Sequence, residues 1–501
     1  MNSFQYIEKI MKGAFLVLFS MIFGKLFSYL FVILVAVKLG SYEYGLLSLG
    51  IAIISFFIAF SLLGLDEGVI RFVSFYRGKN EQALLKGTIL TALKTVLNSS
   101  LFFAVLLIVF SDFISNIFDE YELVKVLFFM AIILPFGALS NIFLVSFRAF
   151  QKPEYEVIFK ELLEKSLRLV LTLILIALGF KLTGALIGLS LAAIIMFFLV
   201  FITFNKKIFN IFSKEIQEQG NKKELLNYSL PLMLKNFMWF IIAWTDLLMI
   251  GYFKTTSDVG IYNVALPTSN LIIVPIYGIM YLFFPIISEL YGKNNLTEIK
   301  EIYKKISKYS LLMNIPIFII ISLLSEDIIS ALFGKEYVKA ALPLTILSIG
   351  YLLFSLSDIS MNILSVLKRT KTIFCIIATF ALSNVVLNYF LIPKYGIVGA
   401  GIATSISFFI GAVLMMSISY HYSRLHPFMF NYSRILLVLG LTLILTSLIK
   451  MQIKFSPLFN LFFFIIIILV IYSVLVYLLK IFDNEDFELI KDIKNKAMKR
   501  L

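Results

Sequence analysis

The stretch SYEYGLLSLG at residues 41–50 reads as an ordinary turn between two apolar segments, and TSDVGIYNVA at 256–265 writes the same corner again. In each an acid stands two places before a glycine, Glu43 before Gly45 and Asp258 before Gly260, and a small residue closes the stretch. The two glycines are 215 positions apart. One such match is weak, because small-residue turns between helices are common. The spacing recurs, however. SFYRGKN at 74–80 and SELYGKN at 288–294 share Ser, Gly, Lys and Asn at an offset of 214. TGALIGLS at 183–190 and VGAGIATS at 398–405 pair Gly184 with Gly399 and Ala185 with Ala400 at 215. Three corners at a common spacing mark an internal duplication.

Between the corners the chain is apolar. Of 501 residues, 60% are hydrophobic and 15% charged, with a mean hydropathy of +0.97. Lipid must be the solvent for most of that surface. Backbone groups in hydrocarbon need internal partners, so the long apolar runs are helices. They fall near 13–37, 44–64, 84–110, 123–147, 157–178, 182–204, 225–251, 259–288, 303–324, 340–367, 372–392, 396–420, 432–449 and 457–479. The expected fold is an all-α polytopic membrane protein with fourteen transmembrane helices. Six is even, so both copies of the duplication enter the membrane the same way up, as parallel repeats. The expected domains are an N-terminal six-helix bundle at 1–210, a C-terminal six-helix bundle at 211–425, and helices 13 and 14 with a basic cytoplasmic tail at 426–501. Lys9 and Lys12 precede an apolar run that continues to Val37, too long for a signal-peptide core, so a retained first helix is expected.

The net charge of +14 does not imply a nucleic-acid partner, because the basic residues are spread over short loops and form no stripe. They report orientation instead. With both termini inside, cytoplasmic loops and tails take 32 of the 44 Lys and Arg, outer loops take nine, and three lie inside helices. The cytoplasmic set includes Arg71, Arg77, Lys79, Lys86 and the Arg148–Arg168 group. This satisfies the positive-inside rule and places the chain in the cell membrane with both termini cytoplasmic. The single Cys375 and the two histidines, His421 and His426, supply neither a disulfide nor a zinc or haem site, so no metal and no cofactor is expected. The longest outer loops are 111–122 and 325–339, leaving no room for an extramembrane catalytic domain. No Gly-rich P-loop is present. Transport, not catalysis, is the expected activity.

Three lysines fall within helices: Lys25 in the first, Lys94 in the third and Lys235 in the seventh. Each lies roughly 10–12 residues beyond a cytoplasmic helix end, or about 15–18 Å deep at 1.5 Å per residue. An unpaired lysine there costs about 2.5–3.5 kcal/mol, so a shared water-filled cavity would house them. The competing reading is pairing with an acid. Asp358 in the tenth helix reaches a similar level and is the candidate partner of Lys94, while Asp246 lies closer to the outer face. Asp66, Glu67 and Arg71 cluster at the inner end of the second helix or in its loop, as substrate contacts or as solvated interfacial groups. Pro267, Pro275 and Pro285 bend the eighth helix, and Pro231 opens the seventh. Glu43 and Asp258 read as helix-start residues, since an acid there suits the helix dipole.

GKLFSYLFVILVAVKLGSYEYGLLSLG (24–50), GLDEGVIR (64–71) and DLLMIGYFKTTSDVGIYNVALP (246–267) together resemble the polysaccharide-transport family of Wzx-type flippases. That family sits in the superfamily of MATE multidrug exporters and lipid II flippases, and the resemblance runs the whole chain. It implies a flippase that moves a polyprenyl-(pyro)phosphate-linked oligosaccharide from the inner to the outer leaflet. Alternating access would pass the headgroup through a cationic central cavity. Lys25 then occupies a first-helix position where relatives often place a basic residue, and Asp246 matches the acid before LLMIGYF. The expected substrate-binding residues are Lys25, Lys235, Lys94 and Arg71, with Asp246 and Asp358 as coupling or structural acids. Where lipid II flippases usually show arginines, this chain shows lysines. Expected partners are the lipid-linked oligosaccharide, membrane lipids and glycan-assembly enzymes, with the chain itself a monomer.

Electrostatics suit that cargo. Ammonium groups in a low-dielectric cavity compensate the desolvation of a pyrophosphate. Moving negative charge outward is also downhill by about 2.3 kcal/mol per charge per 100 mV. Two other readings remain. A MATE-like cation-coupled exporter would favour acids in its site. A membrane-embedded glycosyltransferase or polymerase would need a general base or positioned acids near the outer face, commonly on a long outer loop.

Overall fold

A computed structural model describes the backbone of residues 3–213, 216–220, 222–426, 432–453 and 455–482. Side chains are described from residue 19 onward within those ranges, except at 235, 277–279, 281, 282 and 285. The basic tail, Lys214 and Lys454, and the side chains of Lys9, Lys12, Lys235 and Pro285, lie outside the described residues.

No strand occurs among the described residues. The chain opens with α1 (Ser3–Leu62), α2 (Leu65–Gly78), α3 (Gln82–Val109), α4 (Ser111–Ile117) and α5 (Leu123–Ala149). It continues through α6 (Pro153–Val157), α7 (Glu164–Leu175) and α8 (Lys181–Lys207), with π-helical turns over Ile158–Leu163 and Ile176–Phe180. After a linker come α9 (Lys222–Phe253), α10 (Thr256–Asn270), α11 (Val274–Gly292), α12 (Leu296–Leu323) and α13 (Ser325–Leu332). The last elements are α14 (Ala341–Val366), α15 (Thr370–Ser423), α16 (Tyr432–Gln452) and α17 (Pro457–Leu478).

Among the described residues, eleven helical runs are long and apolar enough to cross a membrane, and three of them span 54 to 60 residues. Each of those three contains a glycine at positive φ: Gly40 at 78°, Gly179 at 94° and Gly396 at 57°. Glycine alone takes that conformation without strain, so the chain turns there with no intervening loop. Among the described residues, these glycines divide the three long runs into shorter apolar segments that follow the expected order. Several boundaries differ from expectation. Leu63 and Gly64, both at positive φ, end one helix and start α2, so Asp66, Glu67 and Arg71 stand on a helix and not in a loop. The expected outer loops carry α4 and α13. Pro231 lies inside α9, which begins nine residues earlier at Lys222. The expected bend of the eighth segment is present, where a 3₁₀ turn over Leu271–Ile273 separates α10 from α11 between Pro267 and Pro275.

The duplication is visible in the backbone itself. Asn80 and Asn294, which close the two GKN corners, take φ of 59° and 56°. Both corners bond alike: Asn80 N–H donates to Arg77 O and Glu81 N–H to Tyr76 O, as Asn294 does to Tyr291 O and Asn295 to Leu290 O. Asparagine suits the left-handed site because its short amide tolerates it. Lys181 (φ 44°, ψ −131°) and Gly396 (φ 57°, ψ −136°) share an unusual conformation at an offset of 215. Just beyond them, Gly184 and Gly399 each let a backbone approach: a Cβ there would meet Leu175 O at 2.9 Å and Leu391 O at 2.3 Å.

By packing, the chain forms two compact units, Met1–Pro267 with Ile377–Thr404 and Thr268–Ile376 with Ser405–Leu501. The first has a core rich in phenylalanine, including Phe143, Phe147 and Phe204. The second is centred on Tyr303, whose hydroxyl bonds to Ser360 Oγ at 2.7 Å, beside Ile276 and Phe283. Within that second unit Asp327 receives Lys450 Nζ at 2.6 Å and Asn460 Nδ2 at 3.1 Å, which ties α16 and α17 to α13.

Candidate functional site

The GLDEGVIR stretch explains itself against α9. Gly64 and Gly68, four apart, place their Cα atoms on one face of the chain, where a Cβ would meet Ser229 O at 2.2 Å and Ser229 Oγ at 2.2 Å. Two small residues at this spacing allow helices in lipid to touch backbone to side chain. Between them Asp66 Oδ2 accepts from Asn236 Nδ2 at 3.2 Å. One turn further on, the Arg71 guanidinium lies 4.1 Å from the Tyr228 ring centre and 5.5 Å from that of Phe72. Gly64, Asp66, Gly68 and Arg71 therefore serve one seam.

Lys25 follows Gly24, whose missing Cβ leaves room for Glu161 O at 2.6 Å. Glu161, on the π-helical turn, is ion-paired with Lys165, and both are charged neighbours of Lys25. Lys94 has an ionic partner, but it is Glu218 at 3.1 Å and not Asp358. Both members are exposed, at 67% and 50%. The linker reaches Lys94 because it runs back along α3. Lys86 Nζ donates to the carbonyls of Ser213 at 2.6 Å and Ile216 at 2.8 Å, and Gln219 N–H donates to Ala83 O. A Cβ on Gly87 would meet Gln219 O at 2.3 Å. Lys86, expected in a cytoplasmic loop, is thus a buried clamp within α3. Lys235 stands on α9 next to Asn236, and its side chain is not described. Asp358, on α14 in the second unit, has no ion-pair partner for its carboxylate among the described residues, and its backbone carbonyl accepts from Asn362.

Asp246, 4% exposed, sits in a ring of neutral donors. Oδ2 accepts from Thr404 Oγ1 at 2.5 Å and Tyr262 O–H at 2.6 Å, and Oδ1 from Asn388 Nδ2 at 2.7 Å and Asn384 Nδ2 at 3.2 Å. Hydrogen bonds stabilise a buried carboxylate, but none of these four groups carries a countercharge. The two opening corners touch each other. A Cβ on Gly45 would meet Thr256 O at 1.9 Å, and one on Gly260 would meet Ser41 O at 2.1 Å. Asn263 Nδ2 joins the contact through Tyr44 O–H at 3.1 Å and Ser48 Oγ at 2.7 Å. Asp258 is the helix-start residue expected, exchanging bonds with Thr255. Glu43, in the first turn after the Gly40 break, also accepts from Leu182 N–H at 3.2 Å, in the first turn of α8.

A sequence profile described as "Polysaccharide biosynthesis protein" matches residues 10–291, more than half of the chain. The chain belongs to that family. A profile for the MatE family also matches, over 231–390. Among relatives of this family member, "Uncharacterized membrane protein MJ1068" of Methanocaldococcus jannaschii is 27% identical over 99% of the chain and 100% of its own length. "Probable low-salt glycan biosynthesis flippase Agl15" of Haloferax volcanii is 29% identical over 41% of the chain and 45% of its own. In fold, the chain matches the structure "Lipid II flippase MurJ, inward closed conformation" with a TM-score of 0.73 at 17% identity, covering 93% of this chain and 98% of that one. A multidrug resistance MATE family transporter in an inward-facing conformation follows at 0.66.

Of the residues singled out in this family member's sequence, Lys25, Lys94, Lys235, Arg71 and Asp246 all fall in the first compact unit and Asp358 in the second. Glu161, Lys165 and the Asn384–Asn388–Thr404 set escaped the sequence reading. The signal for the latter was present: two asparagines four apart inside an apolar helix share one face.

Proposed function

We propose that this protein flips a polyprenyl-(pyro)phosphate-linked oligosaccharide from the inner to the outer leaflet by alternating access through a cationic central cavity. One observation carries the reading. Lys25, in the first helix, has Lys165 as a charged neighbour beside the Glu161–Lys165 pair, which gathers two cations at one acid where an anionic headgroup needs positive charge. Membership of the polysaccharide biosynthesis family and the names of the glycan flippase relatives support the cargo class. Lys235 and Lys94 extend the basic path, and Lys94 becomes available once Glu218 is displaced. Both termini are cytoplasmic, the chain acts as a monomer, and its bundles are 1–210 and 211–425 with 426–501 appended.

Asp246 is the proposed coupling acid. Its neutral donor ring leaves a buried negative charge that a proton or small cation can neutralise reversibly. Asp358 serves the same purpose or a structural one. The MatE match over 231–390 favours a second reading, cation-coupled export of small molecules.

Reconstitution decides between them. Vesicles carrying lipid-linked glycan should show outer-leaflet exposure that depends on the protein and rises with an imposed potential. Lys25→Ala and Lys235→Ala should abolish it at unchanged protein levels. Normal flipping by both variants would sink the cationic mechanism, and ion-driven dye efflux without glycan flipping would favour the exporter.

A further inference from the structure

The seam between α2 and α9 opens at one end into a cleft of about 450 Å³ lined by Arg71, Phe72, Lys223, Glu224, Asn227 and Tyr228. That volume lies within the range of small-ligand pockets, about 300–1,000 Å³. Its two cations come from different helices. The Arg71 guanidinium lies over Tyr228 at 4.1 Å, and Phe72 meets the same ring edge-on at 5.6 Å, so packing against the ring positions an exposed cation. Lys223 stands in the first turn of α9, where the positive end of the helix dipole adds to its charge. Neither cation makes an ion pair among the described residues. The Asn227 amide and the Tyr228 hydroxyl supply further donors, and Glu224 is the one acid in the lining. A guanidinium, which can bond bidentately, and an ammonium lining one cleft are groups that phosphate oxygens recognise.

We propose that this cleft binds a phosphate-bearing headgroup, with Arg71 gripping it in bidentate fashion and Lys223 closing on the opposite side. The inference rests on the flippase reading and deepens it, because it places first capture of the cargo's phosphate at the α2–α9 seam, ahead of the lysines within the membrane. The packing of Gly64 and Gly68 on Ser229 and Leu225 sets the spacing of the two cations, so any movement of α9 against α2 changes the grip.

The test uses the full chain in phosphatidylcholine nanodiscs, with radiolabelled farnesyl diphosphate as probe. Inorganic pyrophosphate should compete and farnesol should not. Arg71→Gln and Lys223→Gln should each weaken binding about tenfold, the loss of one charge-assisted phosphate contact, and Arg71→Lys should restore only part of it. Lys79→Gln, an exposed lysine on the same side of the chain, should change nothing. Unchanged affinity in both cleft variants would overturn the proposal, as would an equal loss in Lys79→Gln, which would mark a diffuse charge effect. Phosphatidylglycerol in the disc should not displace the probe. If it does at equal concentration, bulk lipid is the occupant and capture of cargo is refuted. Intact phosphate binding without glycan flipping would count against the flippase reading alone, and flipping with no cleft binding would count against this site alone.

Discussion

Gly45 and Gly260 occupy equivalent places in the two repeats, and each lies where the other's helix comes closest. A Cβ on Gly45 would overlap Thr256 O at 1.9 Å, and one on Gly260 would overlap Ser41 O at 2.1 Å. The corners that reveal the duplication in the sequence are thus also a contact in the fold. Both contacts are to backbone oxygens, which cannot swing aside as a side chain end could. Substitution must therefore move a helix.

Gly45→Ala and Gly260→Ala should each lower the thermal unfolding midpoint in detergent, at a cost of about 1–3 kcal/mol for forced overpacking. The double variant should cost less than the sum, because the first substitution already parts the helices. Gly292→Ala provides the control, since a Cβ there meets nothing within 4 Å and its φ is ordinary. That variant should be neutral or slightly stabilising. Equal losses at all three glycines would mean that the crossing has no special part in stability.

Asp246 leads to a prediction that separates fold from coupling. Asp246→Asn keeps the shape but turns an N–H₂ toward two donors, costing about 1–3 kcal/mol in unmade hydrogen bonds. Asp246→Ala leaves four donors without an acceptor and should cost more. If Asp246 couples transport to an ion, flipping by folded Asp246→Asn should lose its response to an imposed ion gradient. Thr404→Ser should preserve both stability and response, because the hydroxyl that reaches Oδ2 at 2.5 Å is kept. Flipping by Asp246→Asn that still follows the gradient would leave the acid a structural role only.

How much of this was legible beforehand follows from the range of each interaction. The apolar helices and the duplication are written in nearby residues and simple spacings, and the left-handed Asn80 and Asn294 match what the GKN corners suggested. GLDEGVIR could be matched to a family but not explained, because two glycines four apart do not say which helix they admit. The ring around Asp246 spans separations from 16 to 158 residues, beyond what a local pattern encodes. Lys86 was expected in a loop, and Asp358 as the candidate partner of Lys94, because nothing in the polar composition near 216–220 announces that Ile216, Glu218 and Gln219 reach back to α3.

That linker yields a third prediction. Lys86→Met removes the donor that satisfies two carbonyls, at a cost of about 1.5–3 kcal/mol. Limited proteolysis should then cut the 208–221 segment faster. Glu218→Gln breaks only an exposed pair and should leave the unfolding midpoint unchanged. It should nevertheless increase anionic probe binding if Glu218 masks Lys94. Identical protease sensitivity in Lys86→Met and wild type would show that the linker is held by other contacts.

The last pair of helices hangs on Asp327. Lys450 Nζ reaches both Asp327 Oδ2 at 2.6 Å and Leu323 O at 2.7 Å, and Asn460 holds Oδ1. The pair is mostly buried, at 28% and 12% exposure, so removing one partner strands the other. Lys450→Met should destabilise by about 2 kcal/mol, the value of a charged hydrogen bond left unmade. Asp327→Asn in the same chain should recover part of that loss, since the stranded carboxylate disappears while Asn460 keeps an acceptor. A double-mutant cycle on the unfolding midpoint measures the coupling. A coupling near zero would show that α16 and α17 are held by their apolar faces alone, and the clamp would then be incidental.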